Sequence, residues 1–230
     1  MNLLAIETAT ESCSVALVHG DMVIERSEIA PRKHAERVLP MADALLAEAG
    51  LGRHALDGIA VGRGPGAFTG VRLAVSLAQG MALALDLPVV TVSSLAALAL
   101  EAPDDDAAIL AVIDARMGEI YAASYRREAG VLVPLDAERV GTADLLELPE
   151  AGSWHVVGSG WATYAQILRG RLTGALVSAE GDRYPQARHV AELAVREFQA
   201  GRAVSPEQAL PVYLRDKVAL TLAEQGKPVP

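Results

Sequence analysis

The 230-residue sequence is poor in cysteine, aromatic residues and basic charge, and each shortage removes a class of function. Its single cysteine, Cys13, cannot close an internal disulfide, and in an apolar strand pattern it reads as a small core residue rather than a nucleophile. Aromatics make up 4% of the chain, too few to build the stacking platforms of single-strand nucleic-acid binders. Lys and Arg number 20 against 29 Asp and Glu, a formal charge of −9. That balance excludes a free-standing nucleic-acid binder, which needs clustered cations to neutralise phosphates. The longest charge run, Asp104-Asp105-Asp106, is acidic, so any role on RNA has to be shared with a basic partner.

Other absences are of pattern. The longest apolar runs, around Val89 and from Leu95 to Leu100, fall well short of the roughly 18 residues of a membrane span. The opening Met1 to Glu7 lacks the basic region and long apolar stretch of a secretory signal, and a cytoplasmic location with no membrane association is expected. The five histidines, His19, His34, His54, His155 and His189, include no pair three or four residues apart, so no helix presents paired imidazoles to a metal. No Gly-x-x-x-x-Gly-Lys-Ser/Thr stretch occurs, which excludes a P-loop. Metal ligands could still converge from distant loops, though nothing in the sequence points that way, and no catalytic or metal-ligating residue is assigned.

What is present is a globular pattern, 51% hydrophobic and 21% charged, enough for one large core or two small ones. Asn2 to Ile6, Cys13 to Val18 and Met22 to Ile29 read as an antiparallel meander joined by polar turns. From Ala35 the apolar residues Val38, Leu39, Ala42, Leu45 and Leu46 fall at helical spacing up to Gly50, with a kink or late start expected at Pro40. A strand from Leu56 to Val61, a Gly-Pro-Gly loop, a helix capped by Thr69 and running to about Leu85, and a strand from Val89 to Val92 complete the plan. The stretch from Ile109 to Ala123 then repeats the order seen from Leu3 to Ala16: apolar strand, acidic residue, polar turn, apolar strand. A duplicated α/β architecture follows, with one lobe over residues 1–105 and a smaller one over 106–230 that includes helices near Ala162 to Leu168 and Pro185 to Ala200.

Three motifs admit a functional and a plain reading. The turn Glu7 to Ser12 offers Thr8, Thr10 and Ser12 to a phosphate and Glu7 to a metal or water, or is a polar hairpin satisfying its own backbone. Gly158-Ser159-Gly160 admits close approach of a nucleotide, or is a tight turn. Gly64-Pro65-Gly66-Ala67-Phe68-Thr69-Gly70 leads into a helix N-terminus that favours an anion, or is a tight strand-to-helix connection. In the helix that follows, Gly70, Ala74, Ala78 and Ala82 recur every four residues, a stripe suited to the sheet below or to a helix of another subunit.

The segments Leu4 to Leu17, Arg32 to Pro40, Gly62 to Leu73, Asp114 to Tyr121 and Pro211 to Arg215 together closely resemble the bacterial TsaB (YeaZ) family, and the Gly-Pro-Gly-x-Phe-Thr-Gly-x-Arg block is its most specific part. The resemblance implies the two-lobed actin-like, sugar-kinase and Hsp70 (ASKHA, RNase H-like) fold with a reduced second lobe. It implies a non-catalytic subunit of the machinery that places a threonylcarbamoyl group on adenosine 37 of tRNAs reading codons that begin with A. Its implied partners are the catalytic paralogue TsaD, the small ATPase TsaE and, in isolation, a second copy of itself, with tRNA reached only through the complex and ATP or ADP conceivable at the subunit junction. The implied docking surface is the pair of first-lobe helices, with His34, Val38, Leu39, Ala42, Gly70, Arg72, Leu73, Ala74, Leu77 and Ala78 at the interface. On that basis Ala74→Arg is expected to block pairing and leave the fold intact. Glu7 stands where many relatives have Asp, which weakens a nucleotide site at the first turn. The competing readings are an ATP-dependent small-molecule kinase of the same fold and, last, an M22-type peptidase.

Overall fold

The computed structural model describes residues 1–215; residues 216–230 of the expected second lobe lie outside them. Strands β1 (Asn2–Glu7), β2 (Ser12–His19) and β3 (Met22–Ile29) form the expected antiparallel meander. Helix α1 (His34–Glu48) leads to β4 (Gly58–Gly62), which lies parallel to β1, and α2 (Phe68–Leu85) leads to β5 (Val89–Val92), parallel to β4. A short helix, α3 (Ser94–Ala99), follows, capped by the Ser93 hydroxyl, which accepts the Ala96 amide at 3.1 Å.

The plan then recurs. β6 (Ala108–Arg116), β7 (Glu119–Glu128) and β8 (Val131–Pro134) make a second meander, with the short β9 (Arg139–Thr142) beside β7. β10 (Trp154–Val157) lies parallel to β6, α4 (Ser159–Arg171) follows, and β11 (Leu176–Glu180) lies parallel to β10. The two sheets thus run 3-2-1-4-5 and 8-7-6-10-11, the same topology twice. Where the first repeat inserts α1, residues 135–153 of the second hold β9 and turns, so the second lobe is the reduced one.

Both faces of the first sheet are covered, which is why its strands read as apolar runs rather than alternating ones. Leu4, Ile6, Val15, Leu17, Ile59 and Val61 point to α1 and α2, whereas Leu3, Ala5, Ala16 and Ala60 point the other way, onto Ala187, Val190, Ala191 and Ala194 of α5 (Ala187–Gln199). This corrects the expected lobe assignment. Helix α5 follows the second sheet in sequence but packs on the first, because its alanine face fits the alanines of β1, β2 and β4. Conversely, Leu95, Leu98 and Ala99 of α3 pack on Ile109, Ala111 and Ile113 of the second sheet. Each repeat gives its last helix to the other's sheet. The two helices are tied where Glu101, after α3, accepts hydrogen bonds from Arg188 at 2.6 Å and His189 at 2.8 Å. Burial pushes the Glu101 carboxyl up, but those bonds outweigh it and hold it at about 2.

Two local expectations differ. Thr69 lies inside α2, whose cap position is Ala67 with no side-chain cap, and α1 runs through Pro40, which sits on its solvent side. After α5 the chain returns over the first lobe, where Val204 bridges Val89, Gln79 donates to the Ala209 carbonyl at 3.0 Å and the Val212 amide donates to that of Arg63 at 2.9 Å, before Arg215 reaches Glu119 of β7.

A chain ended at Asp182 is therefore expected to lose the first lobe rather than trim the second, because one whole face of that sheet opens to water. Circular dichroism should show no cooperative thermal transition; a transition at the full-length temperature would mean that the first sheet stands without α5.

Candidate protein-docking site

The first turn is committed to the fold. The Thr8 hydroxyl donates to the Gly70 carbonyl at 2.7 Å, Thr10 accepts the Ser12 amide at 3.3 Å, and the Ser12 hydroxyl accepts from Gln186 at 3.4 Å. Glu7 is buried, accepting the Ala9 amide at 2.6 Å and the Ser94 hydroxyl at 2.7 Å, and burial pushes its carboxyl up to about 7. A Cβ on Gly62 would overlap that carboxyl, one on Gly66 the Ala9 carbonyl, and one on Gly70 the Thr8 carbonyl oxygen. The Gly-Pro-Gly loop is thus a close strand-to-helix connection seated on the first turn. Gly158 and Gly160 do the same in the second repeat, where a Cβ would meet the carbonyl and side chain of Val112. At Thr8, Ser12, Gly158 and Gly160 the expected phosphate contacts give way to contacts within the fold, Thr10 borders the cleft, and Glu7 is too enclosed to hold a metal.

The sign of the Glu7 shift gives a test. Its folded value lies above the 4.5 of an ordinary Glu, so the fold binds its proton more tightly than the unfolded chain does, and stability falls as pH rises from 4.5 to about 7. The loss is on the order of 3 kcal/mol at most. Glu7→Gln should melt progressively above the parent as the pH is raised from 5 to 8; a gap that does not change with pH would show that Glu7 is not the group titrating.

Between the lobes lies a cleft of about 220 Å³ lined by Thr10, Glu11, Phe68, Asp114, Arg116 and the tail residues Tyr213 and Arg215. Its mouth is bridged by Arg116, which donates to Glu11 at 2.7 Å and to Asp114 at 2.8 Å, and by Arg215, whose Nε donates to Glu119 at 3.1 Å. Among the described residues no three His, Cys, Asp or Glu side chains converge as metal ligands. One Ser-His-Asp chain was missed in the sequence: His155 meets Ser178 at 2.6 Å through Nδ1 and Asp105 at 2.9 Å through Nε2. His155 is 2% exposed, so a substrate cannot reach the imidazole, and the three residues act as a clamp on the lobe connection.

The paired helices α1 and α2 sort the expected interface residues into two groups. Val38, Ala42, Gly70, Ala74 and Ala78 are buried against the sheet, so the small-residue stripe belongs to the core and not to an interface. His34 is turned inward, its Nε2 at 3.0 Å from the Thr10 carbonyl, where it holds the start of α1 to the first turn. Leu39, Arg72, Leu73 and Leu77 reach the surface. Leu39 and Leu77 flank a groove of about 410 Å³ between the helices, floored by Ala42, Leu46 and Leu56 and walled on the α2 side by Ser76, Gly80, Met81, Ala84 and Leu85. Sequence reasoning passed over that wall. The signal was the outer side of α2: by length and composition alone the helix suits a membrane span, although one face is packed on β4 and β1. A helix apolar on both sides needs a second cover.

The earlier expectation for Ala74→Arg is reversed by this burial. A long cation forced into the contact between α2 and the sheet has neither room nor partner, and the variant should be recovered unfolded by circular dichroism; a folded variant would return the stripe to the surface.

Two tandem copies of one strand-and-helix plan, exchanging their last helices around a narrow cleft, define a duplicated two-lobed α/β protein of the actin, sugar-kinase and Hsp70 class. The model of the TsaD family, tRNA N6-adenosine threonylcarbamoyltransferase, matches residues 26–222. The chain is 40% identical to the tRNA threonylcarbamoyladenosine biosynthesis protein TsaB of Escherichia coli K12, over 95% of this chain and 96% of that one. It is 38% identical to the TsaB of Haemophilus influenzae, over 95% of each chain. Its fold matches a solved structure of YeaZ from Pseudomonas aeruginosa with a TM-score of 0.86 and 41% identity, over 93% of this chain and 99% of that one. The chain belongs to the TsaB (YeaZ) family.

Proposed function

We propose that this chain is a non-catalytic subunit in the biosynthesis of threonylcarbamoyladenosine in tRNA, pairing through α1 and α2 with a TsaD-type transferase. The observation that carries the reading is the groove between those helices: Leu39 on its edge is 44% exposed, and Leu83, elsewhere on α2, is 75% exposed, on a helix pair whose other side is already buried in the core. Such a surface is stable in water only when covered for much of the time. The kinship of this chain to a transferase family supports a transferase as the cover, and the part its TsaB relatives take in threonylcarbamoyladenosine biosynthesis supports the pathway.

The rest of the chain fits a supporting role. Thr8 is bonded to Gly70, and Gly158 and Gly160 are packed on Val112, so of the turn hydroxyls expected to hold a nucleotide Thr10 remains at the cleft, which leaves little support for the kinase reading. In this reading the transferase carries the tRNA and modifies adenosine 37, a TsaE-type ATPase supports turnover, and a second copy of this chain covers the groove when the transferase is lacking. The net charge of −9 accords with tRNA being held elsewhere.

The test is threonylcarbamoyl transfer to tRNA by the purified transferase, its donor-making synthase and the small ATPase, with and without this chain. Transfer should require the chain, and the chain alone should give none; equal product without it would overturn the reading. Leu39→Asp, at the exposed groove edge, should remain folded and abolish both pairing and stimulation.

A further inference from the structure

At the N-terminal end of α2, next to the groove, the exposed Arg72 is held in one orientation by neighbours that leave part of it unused. Its guanidinium carbon lies 3.5 Å from the centre of the Phe68 ring and 5.3 Å from that of Tyr213. Its Nε donates to the Tyr213 hydroxyl at 2.6 Å, and the two rings stand 5.8 Å apart. Phe68 and Tyr213 are each 47% exposed, which is unusual company for a chain with so few aromatics. Arg26, Arg37, Arg53 and Arg63 of the first lobe each hold a carboxylate, whereas among the described residues Arg72 holds none.

The position of this cluster follows from helix geometry. Arg72, Ser76, Gly80 and Ala84 succeed one another at intervals of four and form one exposed ridge of α2, of which the last three line the groove. Whatever covers the groove therefore extends, within one helical turn, over Arg72. We propose that the transferase partner places a carboxylate side chain on Arg72, with Phe68 and Tyr213 as the apolar walls of that contact; this rests on the docking reading above. The chemistry is that of a planar fork: with Nε taken by Tyr213 and one face covered by Phe68, the two terminal nitrogens remain to meet the two oxygens of a carboxylate. Stacking has already removed the rotamer freedom that such a contact would otherwise cost, and burial beneath the partner strengthens it. Tyr213 comes from the tail that crosses the first lobe after α5, so the C-terminal segment contributes directly to the docking face.

Isothermal titration of the full chain into the purified transferase, at 50 mM and at 500 mM salt, tests this. Arg72→Gln should weaken binding about tenfold to a hundredfold and flatten its salt dependence, with the melting temperature unchanged because Arg72 is on the surface. Arg72→Lys, which keeps the charge but not the fork, should bind with intermediate affinity. Parental affinity in Arg72→Gln overturns the carboxylate contact, and parental affinity in Arg72→Lys overturns the fork. Loss of tRNA transfer by Arg72→Gln with pairing intact would assign the arginine to RNA and likewise overturn it. Leu39→Asp separates the two levels: if it abolishes pairing while Arg72→Gln does not, only this inference fails, and if Leu39→Asp also pairs normally, the docking face itself is wrong.

Discussion

The contact on which the rest depends is the alanine-to-alanine seam between α5 and the first sheet. Ala187, Ala191 and Ala194 lie on Ala5, Ala16 and Ala60, with Leu3 and Val190 beside them. Small side chains on both sides let a helix from the second repeat approach the sheet of the first as closely as backbone atoms allow, and a larger residue on either side would lift it away. Because α3 makes the reciprocal crossing onto the second sheet, neither lobe can leave without unpacking its own core. Arg116 on Glu11 and Arg63 on Glu138 add bridges across the same boundary. The product is a platform whose outer helices keep a fixed relation to the tail and the cleft.

Much of this was legible in the residues. The pseudo-repeat could be read from the order of apolar strand, acidic residue and turn at Glu7 and Asp114, and the two sheets carry it in the same strand order. The buried runs of β1, β4 and β6 announced sheets covered on both faces, since alternation is lost when neither side meets water. What the sequence could not show was which helix covers which face. The alanines of α5 suit either sheet, and only the matching alanines of β1, β2 and β4, distant in sequence, select the first. β9 and β11 were invisible for a related reason: they are short, and their residues are neither regularly alternating nor strongly apolar.

The site was legible as a region and misread in detail. A stripe of small residues at every fourth position says that something comes close, and here that something is the sheet. The residues that line the groove are the larger ones on the neighbouring side of the helix, Leu77, Met81 and Leu85, which look like ordinary core positions until the other face is known to be filled. The glycines show the same ambiguity: a backbone that must approach a phosphate and one that must approach another backbone need the same missing Cβ. At Gly66, Gly70, Gly158 and Gly160 the approaching group is the protein's own chain.

This use of the glycines differs between the two repeats. In the first, the Gly-Pro-Gly loop rests on the first turn, and Glu7 and Thr8 point into contacts within the fold; in the second, Gly158 and Gly160 pack on Val112 of β6 and the corresponding carboxylate, Asp114, lines the cleft. A carboxyl able to hold a water or metal needs exposure to solvent; enclosed by Ala9, Ser94 and Gly62, with burial pushing its carboxyl up to about 7, Glu7 lacks that exposure. The neighbouring bonds, from the Thr8 hydroxyl to the Gly70 carbonyl and from the Ala67 amide to the Ala9 carbonyl, anchor the N-terminal turn of α2 to the same first turn, and α2 carries both the groove and Arg72. The first turn thereby gives the exposed ridge of α2 a fixed position.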